Sequence, residues 1–205
     1  MSANHGPVLG IDPGLTRCGI GLVAGPASRP ELLAHDCVRT SAQLPLEQRL
    51  LTVHDAVVAA IESHRPRAVA VEQVLFSVNV RTAMATGQAA GAALLAAART
   101  GVAVHAYSPT DVKLTVAGAG DADKDAVGRL VAAQLRLEAV PGPADVADAL
   151  AVALTHLARS RLDGAAADTA AAQALAGARR DAATSARGGW QAVLAARGYD
   201  TGDGR

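Results

Sequence analysis

Apolar residues come in short runs over the first forty positions and at helical spacing after that. "PVLGID" (7–12) is an apolar run stopped by Pro13-Gly14, which predicts a strand ending in a tight turn. "RCGIGLVAG" (17–25) and "ELLAHDCVRT" (31–40) predict a second and a third strand. Their short Gly- and Pro-containing connections predict an antiparallel meander. From Leu46 to His64 the positions Leu50, Val53, Val57, Ala60 and Ile61 recur at helical spacing, and Pro66 ends that helix. "RAVAVEQV" (67–74) is apolar up to its glutamate, as a strand covered on both faces would be. A small-residue helix follows over about 79–99, then a fifth strand, "VAVHAY" (102–107), then helices over about 109–117, 124–137 and 144–160. Three strands, helix, strand, helix, strand, helices is the order of an α/β layer fold with a mixed five-stranded sheet flanked by helices.

Beyond about Leu162 the pattern stops. Residues 163–205 are rich in Ala, Gly and Arg without a sustained apolar stripe, so the sequence divides into one folded domain over 1–162 and a flexible tail with a short helical stretch near 190–196. Half of the 205 residues are apolar but only 2% are aromatic, which predicts an aliphatic core and close helix packing. The formal net charge is zero, which excludes a whole-molecule basic signature and leaves a local basic surface as the route to nucleic acid. Cys18 and Cys37 form neither a disulfide framework nor a metal spacing. The start "MSANHGPVLG" lacks a basic, then long apolar, signal pattern, and the longest apolar stretch (89–98) is too short to span a bilayer. A soluble cytoplasmic protein without a membrane partner is the expectation.

Strand alternation puts Val8, Gly10 and Asp12 on one face of the first strand, with Asp12 at its carboxyl end. In the fourth strand Ala68, Ala70 and Glu72 share a face, and Glu72 lies near its carboxyl end. Open α/β sheets bind ligands beyond the carboxyl ends of their strands. If the two strands are parallel neighbours, Asp12 and Glu72 stand side by side there. The helix opening "PADVADALAVAL" adds Asp145 and Asp148, three residues apart on one face. Each acid alone has an ordinary explanation: a turn residue, a solvated strand end, a helix cap and a first-turn acid favoured by the dipole. Together they are four carboxylates with no obvious cation among them, which would repel one another unless positive charge sat between them. Oxygen-only ligands suit Mg²⁺ or Mn²⁺ rather than zinc. Two such ions roughly 3.5–4 Å apart activate water and stabilise the leaving oxygen in phosphodiester cleavage.

"GIDPGLTRCGIGLV", "VAVEQV", "GQAAG", "VKLTVAGAGDADKDAV" and "PADVADALAVALTH" resemble, in order and spacing, the RuvC-type Holliday-junction resolvases, over about residues 8–160. The resemblance implies a ribonuclease H-like fold and a homodimer. It also implies Mg²⁺-dependent resolution of four-way DNA junctions in recombination and repair, by paired nicks in strands of like polarity. It places the family's catalytic, metal-binding carboxylates on Asp12, Glu72, Asp145 and Asp148, with two Mg²⁺ per site and Mn²⁺ able to substitute. It places DNA-contacting lysines on Lys113 and Lys124, the only lysines among 19 basic residues. An ammonium and a guanidinium are not interchangeable beside phosphate, so two lysines kept in a chain that otherwise writes arginine fit a functional role. A RuvA–RuvB-like branch-migration complex is the partner the resemblance implies.

The chain departs from the family pattern in two places. Members often carry an aromatic wedge three residues after the active-site glutamate; here that position is Leu75, and the aromatic is Phe76. Asp121, Asp123 and Asp125 surround Lys124, and with the neutral charge this predicts weaker, more salt-sensitive DNA binding. The helix over 79–99 carries Gly87-Gln-Ala-Ala-Gly91, small residues that permit close approach of another helix, and the resemblance places the dimer contact there. His156 reads as a core or helix-end residue. "GIDPG" alone also occurs in actin-like ATPases and sugar kinases, but this chain lacks their duplicated domain and adenosine-binding Gly motif. The intact carboxylate set argues against a DNA-binding relative without catalysis.

Overall fold

The computed structural model describes residues 6–73, 80–160 and 197–198. Leu75, Phe76 and the expected tail lie outside them, apart from Arg197 and Gly198, which sit in a turn. Strands β1 (Val8–Asp12), β2 (Arg17–Ala24) and β3 (Glu31–Arg39) form the expected meander. Helix α1 (Leu46–His64) leads to β4 (Ala68–Glu72), and α2 (Val80–Thr100) leads to β5 (Ala103–Tyr107). Helices α3 (Pro109–Ala117), α4 (Lys124–Leu135) and α5 (144–160) follow. The sheet order is β3-β2-β1-β4-β5, with β1 and β4 parallel, as are β4 and β5.

Boundaries fall where the backbone changes hand. α4 stops at Leu135, two residues short of the sequence expectation, because Arg136 turns left-handed (φ 56°) and its N–H closes on the carbonyls of Ala132 and Ala133. α1 ends the same way at Arg65 (φ 46°), immediately before Pro66.

Alternation along the strands divides the core into two layers. Leu9 and Ile11 of β1, Cys18, Ile20 and Leu22 of β2, and Val69 and Val71 of β4 face α1 and α2, meeting Val53, Val57, Ile61, Ala93, Ala96 and Ala97. Val8, Val23 and Ala70 face the other way, onto α3, α4 and α5, with Val112, Val116, Val131, Val146 and Leu150. β1, β4 and the central part of β2 are buried on both faces, as their unbroken apolar runs require.

α5 approaches the sheet by backbone contact. A Cβ at Gly10 would stand 2.0 Å from the Ala149 carbonyl oxygen, and one at Gly19 would stand 1.8 Å from that of Asp145. Gly10 and Gly19 flank each other on adjacent strands, since Asp12 pairs with Gly19 and Gly10 with Gly21. Any side chain at either position would push the helix off. This contact sets where the α5 acids can stand. No helix among the described residues is long and apolar enough to cross a membrane.

Candidate active site

The parallel register pairs Gly10 with Ala70 and Ile11 with Val71, so Asp12 and Glu72 end neighbouring strands at the same level. Both lie on the face covered by α5. Asp145 is one residue inside that helix and Asp148 one turn further, both half-buried. The structure therefore brings the four acids from three elements to one end of the sheet. Asp12 feels all of the others. Its carboxyl is pushed up to about 8, first by burial, then by the charges of Glu72, Asp148 and Asp145. Glu72 is raised as well, by burial and then by Asp148, while a hydrogen bond with Asp12 and the charges of Lys124 and Lys113 pull it back.

Two cations reach into this group, which the spacing of the acids did not reveal. Lys124 Nζ lies 2.5 Å from Asp148 Oδ2, and Arg17 Nε lies 3.0 Å from Asp145 Oδ2. Burial draws the Lys124 ammonium down, but its hydrogen bond and charge attraction to Asp148 outweigh that, and its pKa is raised. Lys124 opens α4, where the helix dipole disfavours a cation, so helix stability does not explain it. Of the acids around it, Asp123 is engaged as the α4 cap, accepting from the Ala126 N–H at 2.6 Å. Lys113 stands half-buried on α3, near enough for its charge to lower Glu72. α3 is fixed by a capping box between Ser108 and Asp111 and by Arg159 of α5, whose Nη1 is 2.8 Å from Asp111 Oδ1. Asp111 is correspondingly held below the usual carboxylate range by Ser108 and Arg159.

Arg17 is the functional candidate the sequence reading missed. Strand alternation carries the signal, because Arg17, Gly19 and Gly21 share the face on which α5 rests. Arg49 ties the turn before it, donating from Nε to Thr40 Oγ1 at 2.8 Å and from Nη2 to Thr16 Oγ1 at 3.0 Å. The Thr40 hydroxyl in turn donates to the Leu15 carbonyl at 2.5 Å, which pins the β1–β2 turn.

His156 is a core residue, as expected: it is 2% exposed and shares a 2.8 Å hydrogen bond between Nδ1 and the Tyr107 hydroxyl. Burial, then His105 and Arg67, depress it to about 4.

No three carboxylate, imidazole or thiol groups among the described residues form a ready-made ligand cage. The donor set nevertheless fits a hard divalent cation. It is all oxygen, the acids outnumber the cations touching them, and the buried Asp145 Oδ2 accepts no hydrogen bond.

Comparison with known proteins agrees with this architecture. The family model for the crossover junction endodeoxyribonuclease RuvC matches residues 8–156. The RuvC enzymes of a Nocardioides species and of Salinispora arenicola are 49% and 51% identical, over 77% and 78% of this chain and 92% and 94% of theirs. The structure of Thermus thermophilus RuvC in complex with a Holliday junction substrate superposes with a TM-score of 0.74 at 43% identity, covering 77% of this chain and 96% of that one. With a five-stranded mixed sheet, acids ending its two central parallel strands and a family-model match over residues 8–156, this chain is a member of the RuvC family of crossover junction endodeoxyribonucleases.

Proposed function

We propose that Asp12, Glu72, Asp145 and Asp148 are the metal-binding catalytic set with which this endonuclease resolves four-way DNA junctions, and that residues 1–162 form its nuclease domain. The observation that carries the reading is the convergence of four carboxylates from β1, β4 and α5 at one end of the sheet, where burial and the three neighbouring acids raise Asp12. A fold does not gather four carboxylates against their mutual repulsion for stability. Asp12 and one of the α5 acids would hold the metal ions, with Glu72 and the other acid as further ligands. Bound there, two Mg²⁺ (or Mn²⁺) ions supply Lewis acidity, lowering the pKa of water and offsetting charge on the leaving oxygen.

The protein's own contribution is placement. β1 and β4 hold Asp12 and Glu72 at fixed register, and the Gly10 and Gly19 contacts hold α5 against them. Asp12, raised by burial and its acidic neighbours, would have to be deprotonated to hold a cation. Lys124 leaves Asp148 for a phosphate oxygen, and Lys113 adds positive charge beside Glu72. Leu75 and Phe76, on the chain between β4 and α2, are the candidates for a wedge between base pairs.

A homodimer formed along α2 is part of the same reading. Ala89, Ala93, Ala96 and Ala97 pack inward, whereas Gly87, Gly91, Val80, Met84, Leu94 and Leu95 are exposed, a small and apolar stripe on the outer side. A two-fold dimer would present two sites to a junction of like symmetry. Cytoplasmic action with a RuvA–RuvB-like branch-migration complex completes the reading.

A gel assay with a synthetic four-way junction, with and without Mg²⁺, tests it. Asp145→Asn and Asp148→Asn are each expected to abolish cleavage while junction binding survives. Full cleavage by either variant would remove its carboxylate from the set.

A further inference from the structure

Arg17 has a place in the site but no part in the chemistry described so far. Its Nε is 3.0 Å from Asp145 Oδ2, yet that oxygen accepts no hydrogen bond, so the contact is one of charge rather than of alignment. The Arg17 side chain is 57% exposed and Asp145 19% exposed, so the arginine reaches the acid from the rim. Exposed ion pairs are weakly held and readily exchanged. The carboxylate it touches is one that a divalent cation would claim.

Arg17 also lines a cleft of about 480 Å³ between the β1–β2 turn and the first turns of α2. Arg81, Thr16, Thr82, Thr86 and Asp145 line it too. Guanidinium forks match phosphate oxygens in pairs, and hydroxyls donate to them. The Thr16 oxygen accepts from Arg49, which leaves its own hydrogen to donate. Asp145 is the one acid among the described residues of this lining, and while it is uncompensated it repels an anion. The cleft therefore suits a phosphate only when Asp145 is neutralised by something other than Arg17.

We propose that this cleft is a phosphate subsite for the junction strand beside the scissile phosphodiester, and that Arg17 is a positioning residue that exchanges Asp145 for that phosphate once a divalent cation holds the carboxylate. The inference rests on Asp145 being a metal ligand. It makes metal binding and strand binding cooperative, since each removes a competitor of the other.

The test uses the full chain, a synthetic four-way junction, and salt titrations of affinity in EDTA and in Ca²⁺. In Ca²⁺, Arg17→Ala and Arg81→Ala are each expected to flatten the slope of log affinity against log salt by about 0.9, the value of one lost phosphate contact. In EDTA, Arg17→Ala leaves the slope as in the wild type, because Arg17 is then on Asp145. Without DNA, Arg17→Ala is stabilised against heat at lower Mg²⁺ concentration than the wild type, having lost the competing cation. Arg17→Lys restores part of the Ca²⁺ slope. A wild-type slope for Arg17→Ala in Ca²⁺, or the same loss in EDTA, overturns the proposal. The slopes do not depend on turnover, so cleavage by Asp145→Asn would instead identify failure of the underlying metal-site reading.

Discussion

Asp12 keeps its proton up to about pH 8 when no metal is present, and this ties the chemistry of the site to the stability of the protein. In the unfolded chain an aspartate releases its proton near 3.9. Between those values the folded state binds the extra proton, so this group's contribution favours folding below the unfolded pKa and is lost as pH rises through about 8. Asp12→Asn removes the penalty: its metal-free melting temperature is expected to exceed that of the wild type by more at pH 8 than at pH 5, while cleavage falls by orders of magnitude. Calorimetry in EDTA and the junction assay check the two halves. His156 works in the opposite sense. Buried and neutral, with its pKa depressed to about 4, it lets the unfolded state take up the proton first as pH falls from about 6.5. Denaturation in urea is expected to show about 2 kcal/mol of stability lost between pH 7.5 and pH 5 through this group. The loss should be absent in His156→Gln.

At the scale of elements, the acids are positioned by strands that carry them to one edge and by a helix seated on glycine. Gly19→Ala would drive a methyl group into the Asp145 carbonyl, and the helix start with its two acids must move. Overpacking of this kind costs about 1–3 kcal/mol, and cleavage is expected to fall further than stability alone accounts for. Paired thermal-melt and single-turnover measurements separate the two effects. Much of this was legible in the sequence. Alternation put Asp12 and Glu72 at the carboxyl ends of their strands on the same face as Gly10 and Ala70, and the unbroken apolar run of β4 marked that strand as covered on both faces. The i,i+3 spacing put Asp145 and Asp148 on one face of a helix. The pairings of Arg17 with Asp145 and of Lys124 with Asp148 were not legible, because they join residues distant in the chain whose meeting depends on how closely α5 seats on the sheet. Arg136 was likewise unreadable as the stop of α4, since left-handed backbone at a residue other than glycine has no marker in its identity, whereas the end of α1 was marked by Pro66.

Across the whole molecule the sheet separates two tasks. One face carries α3, α4, α5 and the acids; the other carries α1 and α2, with the exposed stripe of Gly87, Gly91, Leu94 and Leu95. Leu95→Asp puts charge on that stripe without touching the core, and sedimentation is expected to show monomers that nick junctions singly rather than in pairs. With a net charge of zero, long-range attraction to DNA is weak, and on the proposed reading affinity would rest on local cations such as Lys113, Lys124, Arg17 and Arg81. The backbone contact beneath α5 has one more effect, on how the enzyme fails when heated. Where a helix rests on long side chains, its seat softens by degrees as rotamers loosen, and function fades before the fold is lost. Here Gly10 and Gly19 press directly on main-chain atoms of the helix, a hard stop with nothing in between to loosen. Activity should hold its geometry up to the melting temperature and then vanish with the fold, in a single step.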